Sequence, residues 1–250
     1  MQDARDWHRG HAGEPDGELL LDFAMTAFDQ AARLSIDSAM LFRAAAEMDR
    51  ALLRIEAKGW AATRLAWRTT GAPPLPPAVE ELGRNLTGSC PAGGILLTSG
   101  DLQTVAAWYA VLVVRQADDV VPIRPDLYVT DAHYRGRMAQ LLGVDSTLSV
   151  RDALTKVGER RPLCIAPGTD PAVVPDLTWR PSRLVRVSRG AAPAERPVTL
   201  TAMLEAQRGK RALWVREVRD VYLAAARHNP LLCVPLAVVF ADGPPADCRP

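Results

Sequence analysis

Three short polar segments of this 250-residue chain carry side chains of the kinds that bind ligands, and each follows an apolar run. Carboxylates from three such segments could together hold Mg²⁺, which prefers oxygen ligands. The segments could instead bind an anion at a helix N-terminus, or serve only as helix caps and turns, a routine role of Asp. Their candidate residues are Ser99, Gly100, Asp101, Gln103 and Thr104, then Asp126, then Thr169 and Asp170.

No residue set for a known reaction accompanies these segments, so no catalytic residue, metal site or cofactor is predicted. Ser99 lies in a T-S-G sequence and not in the G-x-S-x-G elbow of a hydrolase. Phosphate loops of the G-x-G-x-x-G or G-K-[ST] type are absent from the sequence. The four cysteines form no C-x-x-C pair and match no histidine spacing, so we expect reduced, mostly buried thiols.

A basic region follows the third polar segment. Residues 179–227 hold eleven basic and four acidic residues, whereas the net charge of the whole chain is only +1. Such asymmetry favours an anionic partner, which could be an acidic protein face, lipid headgroups or nucleic acid; a solvated basic face is the alternative. The near-neutral total charge disfavours nucleic acid. The predicted partner-facing residues are Arg180, Arg183, Arg186, Arg189 and Arg211.

The hydrophobic pattern predicts the elements that position these groups. Apolar runs at Gly94–Thr98, Val120–Ile123 and Leu163–Ala166 are typical of strands buried on both faces. Amphipathic helical stretches separate them, so the three strands should be parallel neighbours in one sheet. Ligands of open parallel sheets bind beyond the carboxyl ends of the strands, which is where the polar segments fall.

Composition shifts divide the chain into a flexible tail over residues 1–17, a helical extension over 18–70 and an α/β domain over 78–250, with a Pro-rich connector at 71–77. The predicted fold class is α/β, with a small parallel sheet, flanking helices and an N-terminal helical hairpin extension. Further strands are expected within Leu177–Val187 and Leu231–Phe240. Thr130 or Asp131 should cap one helix, which Gly143 should end, and Ser149 should cap the next.

A family resemblance rests on the stretch from Gly94 to Tyr128. It resembles the soluble domain that follows the membrane block of bacterial polytopic glycosyltransferase-C-like proteins of unknown function. Two later pieces, RRPLCIAP and LTWRPSRLVRV, resemble the third and closing strands of that domain. Leu102 and Gln103 stand where the family has Asn-Asp, and Ala117 stands where it has Arg. The matching residues are Thr98, Gly100, Asp101, Thr104, Trp108, Tyr109, Asp119 and Val120.

Together these features predict a non-catalytic interaction or scaffold subunit that docks on a larger protein assembly, with an integral-membrane complex as one candidate. The alternative is a ligand-binding or glycosyl-transfer-related module that uses the Ser99–Thr104 turn. The sequence shows no signal-peptide pattern and no apolar run near the ~20 residues of a membrane span. We therefore expect a cytoplasmic protein, peripheral to a membrane, whereas the resemblance implies the extracytoplasmic face.

Overall fold

A computed structural model of the chain describes residues 15–34, 37–58, 75–117, 119–192, 197–208, 213–240 and 248. Within these residues the fold is α/β, with ten helices and one five-stranded sheet. The strands are β1 (Ile95–Leu97), β2 (Val121–Ile123), β3 (Leu163–Ile165), β4 (Arg180–Ser182) and β5 (Val185–Val187), in the order β2-β1-β3-β5-β4.

The predicted parallel core of the sheet is confirmed. β1 lies between β2 and β3 and pairs in parallel with both, so that Leu96 is opposite Pro122 on one side and Cys164 on the other. All nine residues of these strands are buried. Pro122 interrupts no interior ladder because β2 is the edge strand of the sheet.

The helices are α1 (Pro15–Arg33), α2 (Asp37–Lys58), α3 (Pro77–Gly88), α4 (Gly100–Tyr109), α5 (Pro125–Thr130), α6 (Ala132–Leu142), α7 (Val150–Gly158), α8 (Thr201–Arg208), α9 (Leu213–Ala226) and α10 (Cys233–Val239). A π-helical turn, Ala110–Val114, continues α4. The described helices include none that is long and apolar enough to cross a membrane.

Local sequence signals place several helix ends. The Asp131 carboxylate accepts hydrogen bonds from the backbone N–H groups of His133 and Tyr134 and so caps α6. Gly143 ends α6 at φ 66°, a left-handed conformation that glycine adopts without steric cost. Ser149 and Asp152 bond to each other at the start of α7, as the S-x-x-D spacing predicts.

The contacts divide the chain into two compact units. The first takes in Met1–Leu75 and Arg124–Val157, and the second takes in Pro76–Ile123 and Gly158–Pro250. In the first unit α1 and α2 pack together as the predicted helical pair. The ring centroids of Phe28 and Phe42 are 5.7 Å apart. The second unit contains the whole sheet. Residues 1–14 of the predicted tail over 1–17, and residues 71–74 of the predicted connector over 71–77, lie outside the described residues. The rest of the predicted tail, residues 15–17, is the first turn of α1.

Two strand predictions in the second unit were wrong in detail. The run from Leu177 to Val187 is a hairpin of two short strands, and its turn places Arg183 at φ 53°. Two-residue hairpin turns need a positive φ, but this turn has no Gly or Asn to signal it. The run from Leu231 to Phe240 is helical, because Asn229 caps the 3₁₀ turn Pro230–Leu232 that leads into α10. Pro235 fits there because a helix tolerates proline in its first turn.

The expectation of reduced thiols was also wrong. Cys90 and Cys164 form a disulfide that joins the end of α3 to β3, and Cys233 and Cys248 form a second one. The first pair is 74 residues apart in sequence and fully buried. Only the folding of α3 against the sheet brings these two sulfurs together, so cysteine spacing carries no signal for this bond.

A buried polar network holds the segment that leads into α8. The Glu81 carboxylate of α3 accepts from the backbone N–H groups of Ala202 and Met203, at 2.9 Å each. The Asn85 amide exchanges hydrogen bonds with the backbone of Thr199 and donates to the Tyr222 hydroxyl at 2.7 Å. Glu81 thereby satisfies N–H groups that the first turn of every helix leaves unpaired.

Candidate functional site

The carboxyl ends of β1 and β3 bring together the first and third predicted polar segments. A Cβ atom on Gly168 would lie 3.6 Å from the Ser99 hydroxyl. The Thr169 hydroxyl donates to the carbonyl of Leu97 at 3.2 Å. Gly100 and Gly168 both adopt positive φ, at 71° and 86°. Sequence reasoning therefore placed these two segments correctly at one edge of the sheet, because parallel strands end on the same side.

The polar side chains at this edge bond mainly to each other and to the backbone. The hydroxyls of Thr98 and Thr104 are 2.8 Å apart, and Thr104 donates to the Gly100 carbonyl at 2.7 Å. Gln103 is buried; its Oε1 accepts from the Ser99 N–H at 3.1 Å and its Nε2 donates to the Pro167 carbonyl at 2.7 Å. We call Thr98, Ser99, Gln103, Thr104 and Thr169 the strand-end cluster.

The three candidate carboxylates do not form one group. Asp170 accepts from the N–H of Ala172 and caps the short 3₁₀ turn Pro171–Val173, while Asp101 lies in the first turn of α4. Asp126 belongs to the first compact unit and is ion-paired with Arg124 at 2.7 Å. Against the effect of partial burial, the hydrogen bonds and charge of Arg124 lower the pKa of the Asp126 carboxyl.

Within the described part of the chain, no cluster of three or more His, Cys, Asp or Glu side chains could hold a metal ion. A cavity beside Pro167 and His228 has a volume of about 10 Å³, which is room for about one water molecule. The polar side chains at this edge act as helix caps and in turns. Those that the structure describes do not surround a position where Mg²⁺ or an anion could bind.

The predicted arginine face is not a single face. In the β4–β5 hairpin, Arg180 is opposite Val187 and Arg186 is opposite Pro181, so Arg180 and Arg186 project from opposite sides of the sheet. Arg183 donates to the Gly88 carbonyl and Arg189 to the Glu159 carbonyl. Arg211 lies outside the described residues. The first four of these arginines recur every three residues, whereas the side chains on one face of a strand recur every two. The spacing therefore cannot place all of them on one face of the hairpin.

A surface that sequence reasoning missed lies on the segment it had taken for a strand. Leu231, Val234 and Val238 are 85%, 76% and 75% exposed, although the other side of α10 is packed through Leu236 and Val239. We call these three side chains the apolar ridge. Their i, i+3, i+7 spacing places them on one side of a helix. The sequence could have revealed this surface only if the segment had been predicted as helical.

Basic groups flank the apolar ridge at its N-terminal end. The Asn229 side chain donates to the Arg183 carbonyl at 2.9 Å and so ties the ridge to the hairpin turn. Burial, followed by the positive charges of Arg186 and Arg227, lowers the pKa of His228. Residues 221–240 contain Arg227 and His228 and no acidic residue.

Comparison with known proteins adds no family to this geometry. No family model, no curated protein and no solved structure matches the chain. The resemblance to the soluble domain of glycosyltransferase-C-like proteins therefore stays a hypothesis, and the site must be interpreted from its own residues.

Proposed function

We propose that this chain is a non-catalytic interaction subunit that docks on a larger protein assembly through the apolar ridge. The observation that carries the proposal is the exposure of three large aliphatic side chains, Leu231 in the 3₁₀ turn and Val234 and Val238 on the helix α10 that follows it. A helix that is apolar on both sides is ordinarily buried on both sides. One side of α10 is covered by its own domain, and a partner would cover the other.

The spacing of the ridge fits a groove in a protein. Leu231, Val234 and Val238 follow the i, i+3, i+7 pattern by which helices insert anchors into apolar grooves. Helices that bind membrane interfaces combine large apolar faces with rows of basic residues, whereas none of the seven residues of α10 is basic. A protein groove is therefore the better occupant, and a lipid surface is an outcome that the test below separates.

The ridge is also held in place before it binds. The Cys233–Cys248 disulfide cross-links α10, and the Asn229 side chain fixes the preceding turn to the hairpin. Pre-organised anchors lose less conformational freedom on binding, so more of their contact energy remains as affinity.

The charges beside the ridge specify the partner further. The positive charges of Arg186 and Arg227 act on His228, which precedes the ridge by three residues in the sequence. We infer that the groove is edged by carboxylates, which would steer association and make it weaken as salt rises. The partner is therefore still expected to be acidic. Most of the binding free energy, however, is assigned to the aliphatic side chains of the ridge and not to the arginines.

The alternative function, a ligand-binding or glycosyl-transfer-related module at Ser99–Thr104, has weaker support. Thr98, Gln103 and Thr104 already have hydrogen-bond partners within the fold. A sugar or phosphate would have to compete with these bonds, which favours a positioning role for the strand-end cluster.

The two disulfides bear on where the protein folds. Structural disulfides form and persist in oxidising compartments and are rare in the cytosol of mesophiles. We propose that the chain matures on the extracytoplasmic side of a membrane, as the family resemblance also implies. Iodoacetamide labelling of protein from native cells, before any reduction, tests this: all four cysteines should escape labelling, and four labelled cysteines would place folding in a reducing compartment.

The docking proposal is tested by a photo-crosslinking residue placed at Val234 in cells of the source organism. We expect one discrete crosslinked protein, which is then purified and titrated with the wild-type chain. Replacing Val234 and Val238 together by Ser should weaken that binding roughly 100-fold, since each buried anchor is expected to contribute about 1.4 kcal/mol, which is a factor of ten in affinity. Arg186→Gln should weaken it only several-fold, and chiefly at low salt.

Leu34 provides the matched control, because it is 76% exposed on the first compact unit. A crosslinker at Leu34 should not capture the same protein, and Leu34→Ser should leave the affinity unchanged. Two results would overturn the proposal: equal capture from both positions, or crosslinks from Val234 to lipid alone together with binding to vesicles of phosphatidylcholine and phosphatidylglycerol.

A further inference from the structure

The first compact unit contains a cavity of about 610 Å³ that no motif in the sequence signals. It lies among α5, α6 and the loop that leads into α7, and its wall includes Tyr128, Arg135 and Leu148. Cavities of about 300–1,000 Å³ are typical of small-molecule sites. The strand-end cluster and the apolar ridge belong to the other unit, so this cavity is a separate feature.

The wall of the cavity is mainly apolar and leaves space above α6. Val129, Leu148 and Val150 line it, and Val129 is 59% exposed. A Cβ atom on Gly136 would meet no other atom within 4 Å. Glycine in a helix interior costs about 1 kcal/mol relative to alanine, and here it keeps that part of the cavity open.

Arg135 brings a positive charge to this apolar wall. Its Nη1 donates to the backbone carbonyls of Tyr128 and Val129, at 3.3 Å each, which fixes the guanidinium at the C-terminal end of α5. No described carboxylate forms an ion pair with it. The Nε and Nη2 donors form the edge of a guanidinium that binds carboxylate or phosphate in a bidentate manner.

Tyr128 adds a polar group that the fold does not satisfy. Its side chain is only 1% exposed, and its hydroxyl has no hydrogen-bond partner among the described residues. A buried polar group left unpaired costs roughly 1–3 kcal/mol. Burial raises the pKa of this hydroxyl, so that it is protonated at neutral pH and able to donate.

Two other hydroxyls in the wall are committed to the loop itself. Thr147 donates to the Asp145 carboxylate at 2.8 Å and Ser149 donates to the Asp152 carboxylate at 2.6 Å. These bonds shape the loop between α6 and α7, and the Asp145 carboxylate keeps a negative charge that acts on Tyr128. Arg135, Tyr128 and the Ser146 hydroxyl are therefore the polar side chains of this wall with donors to offer an acceptor.

We propose that this cavity binds a small amphipathic anion, with a carboxylate or phosphate on Arg135 and Tyr128 and an apolar body against Val129, Leu148 and Val150. The guanidinium supplies charge and a two-point geometry. The tyrosine hydroxyl, which has almost no accessible surface in this structure, supplies a third donor once its side chain turns towards the ligand, and the space above Gly136 receives the body of the ligand.

The test uses phenylacetate and phenyl phosphate as probes, with benzyl alcohol as the uncharged control. Titration of the isotope-labelled full chain, followed by methyl and amide NMR, should give saturable shifts at Val129 and at residues 146–150. The two anions should bind at least several-fold more tightly than benzyl alcohol, and their order shows whether carboxylate or phosphate is preferred.

Variants separate the roles within the cavity. Arg135→Gln should weaken anion binding about 10-fold or more, and Tyr128→Phe several-fold, as expected for hydrogen bonds to a charged group. Gly136→Leu should abolish binding by filling the cavity while leaving the fold intact, since its Cβ meets no neighbour. Arg160→Gln, an exposed arginine of the other unit, is the control and should change nothing.

Three results would overturn the proposal. One is the absence of saturable shifts at these residues up to the solubility limit of both anions. Another is binding that survives Gly136→Leu, which would place the probes elsewhere. The third is benzyl alcohol binding as tightly as the anions, with Arg135→Gln unchanged, which would make the cavity a purely apolar site.

Discussion

The strand-end cluster and the apolar ridge lie in the same compact unit and differ in how far the fold satisfies them. At the carboxyl ends of β1 and β3, polar side chains with the composition of a binding site are bonded to each other and to nearby carbonyls. On α10 and the 3₁₀ turn before it, three aliphatic side chains without any chemistry of their own are exposed to solvent.

This difference shows that polar residue types alone do not reveal which groups the fold leaves unsatisfied. Thr, Gln and Asp can act on a ligand, but they can also close a turn, and here Gln103 bridges two loops. Exposed aliphatic groups have no such internal use. Exposed apolar surface is unfavourable in water, and a partner that covers it removes that unfavourable free energy. This contribution is larger at the ridge than at the strand-end cluster, whose polar groups are already hydrogen-bonded.

The largest effect is expected from the two disulfides. Cys90–Cys164 includes a residue of β3, the strand that leads to the strand-end cluster, and Cys233–Cys248 includes the first residue of α10. Replacing Cys90 and Cys164 together by Ala should lower the free energy of unfolding by about 4 kcal/mol, because a long loop of the unfolded chain is released. The matched Cys233 and Cys248 pair encloses 15 residues against 74, and its removal should cost about 3 kcal/mol. Urea unfolding of both double variants measures the order, and a reversed order would contradict the loop-length explanation.

A pair of substitutions within α10 distinguishes its two sides. Leu236 is fully buried, so Leu236→Ala should cost roughly 2–5 kcal/mol. Val238→Ala should change the free energy of unfolding by less than about 0.5 kcal/mol, because the side chain is already exposed and alanine favours helix. Equal losses in urea unfolding would mean that Val238 is buried in solution and that the ridge is not free to dock.

The structural role of the strand-end cluster is tested at Gln103. Gln103→Leu should lower stability by roughly 1–3 kcal/mol, because the Ser99 N–H and the Pro167 carbonyl lose their partner in a buried place. Gln116→Leu is the control: Gln116 is half-buried and donates to the Arg84 carbonyl at 3.2 Å, and its loss should cost less. Similar unfolding midpoints for wild type and Gln103→Leu would reopen this edge as a binding site.

The smallest effect concerns the basic flank of the ridge. The pKa of His228 lies below its ordinary value of 6.5, so the unfolded chain binds more protons there than the folded one. Stability that His228 contributes is therefore present above pH 6.5 and is lost as the pH falls through that value towards the folded pKa. His228→Gln should flatten this part of the stability–pH curve, with Arg186→Gln acting in the same direction. A steeper curve for Arg186→Gln would show that the charge of Arg186 does not act on His228, and a steeper curve for His228→Gln would show that another group causes this part of the pH dependence.

Much of the fold was predictable because it depends on local pattern. Short apolar runs at Gly94–Thr98, Val120–Ile123 and Leu163–Ala166 predicted the parallel strands, and Asp131, Gly143 and Ser149 predicted helix ends. The candidate site was predictable only in part. Parallel strand ends brought Ser99 and Gly168 together as expected, whereas Asp126 belongs to another unit.

The sequence by itself determined the elements whose signals lie within a few residues: the buried strands, the caps and the helical pair formed by α1 and α2. Only the tertiary structure decided that Cys90 meets Cys164, that the run from Leu231 is a helix with one exposed side, and that Arg180 and Arg186 face opposite ways. The physical reason is that burial and pairing depend on contacts between distant segments. A ten-residue apolar run is compatible with a strand or with a helix. Which of the two forms depends on the segments that pack against it.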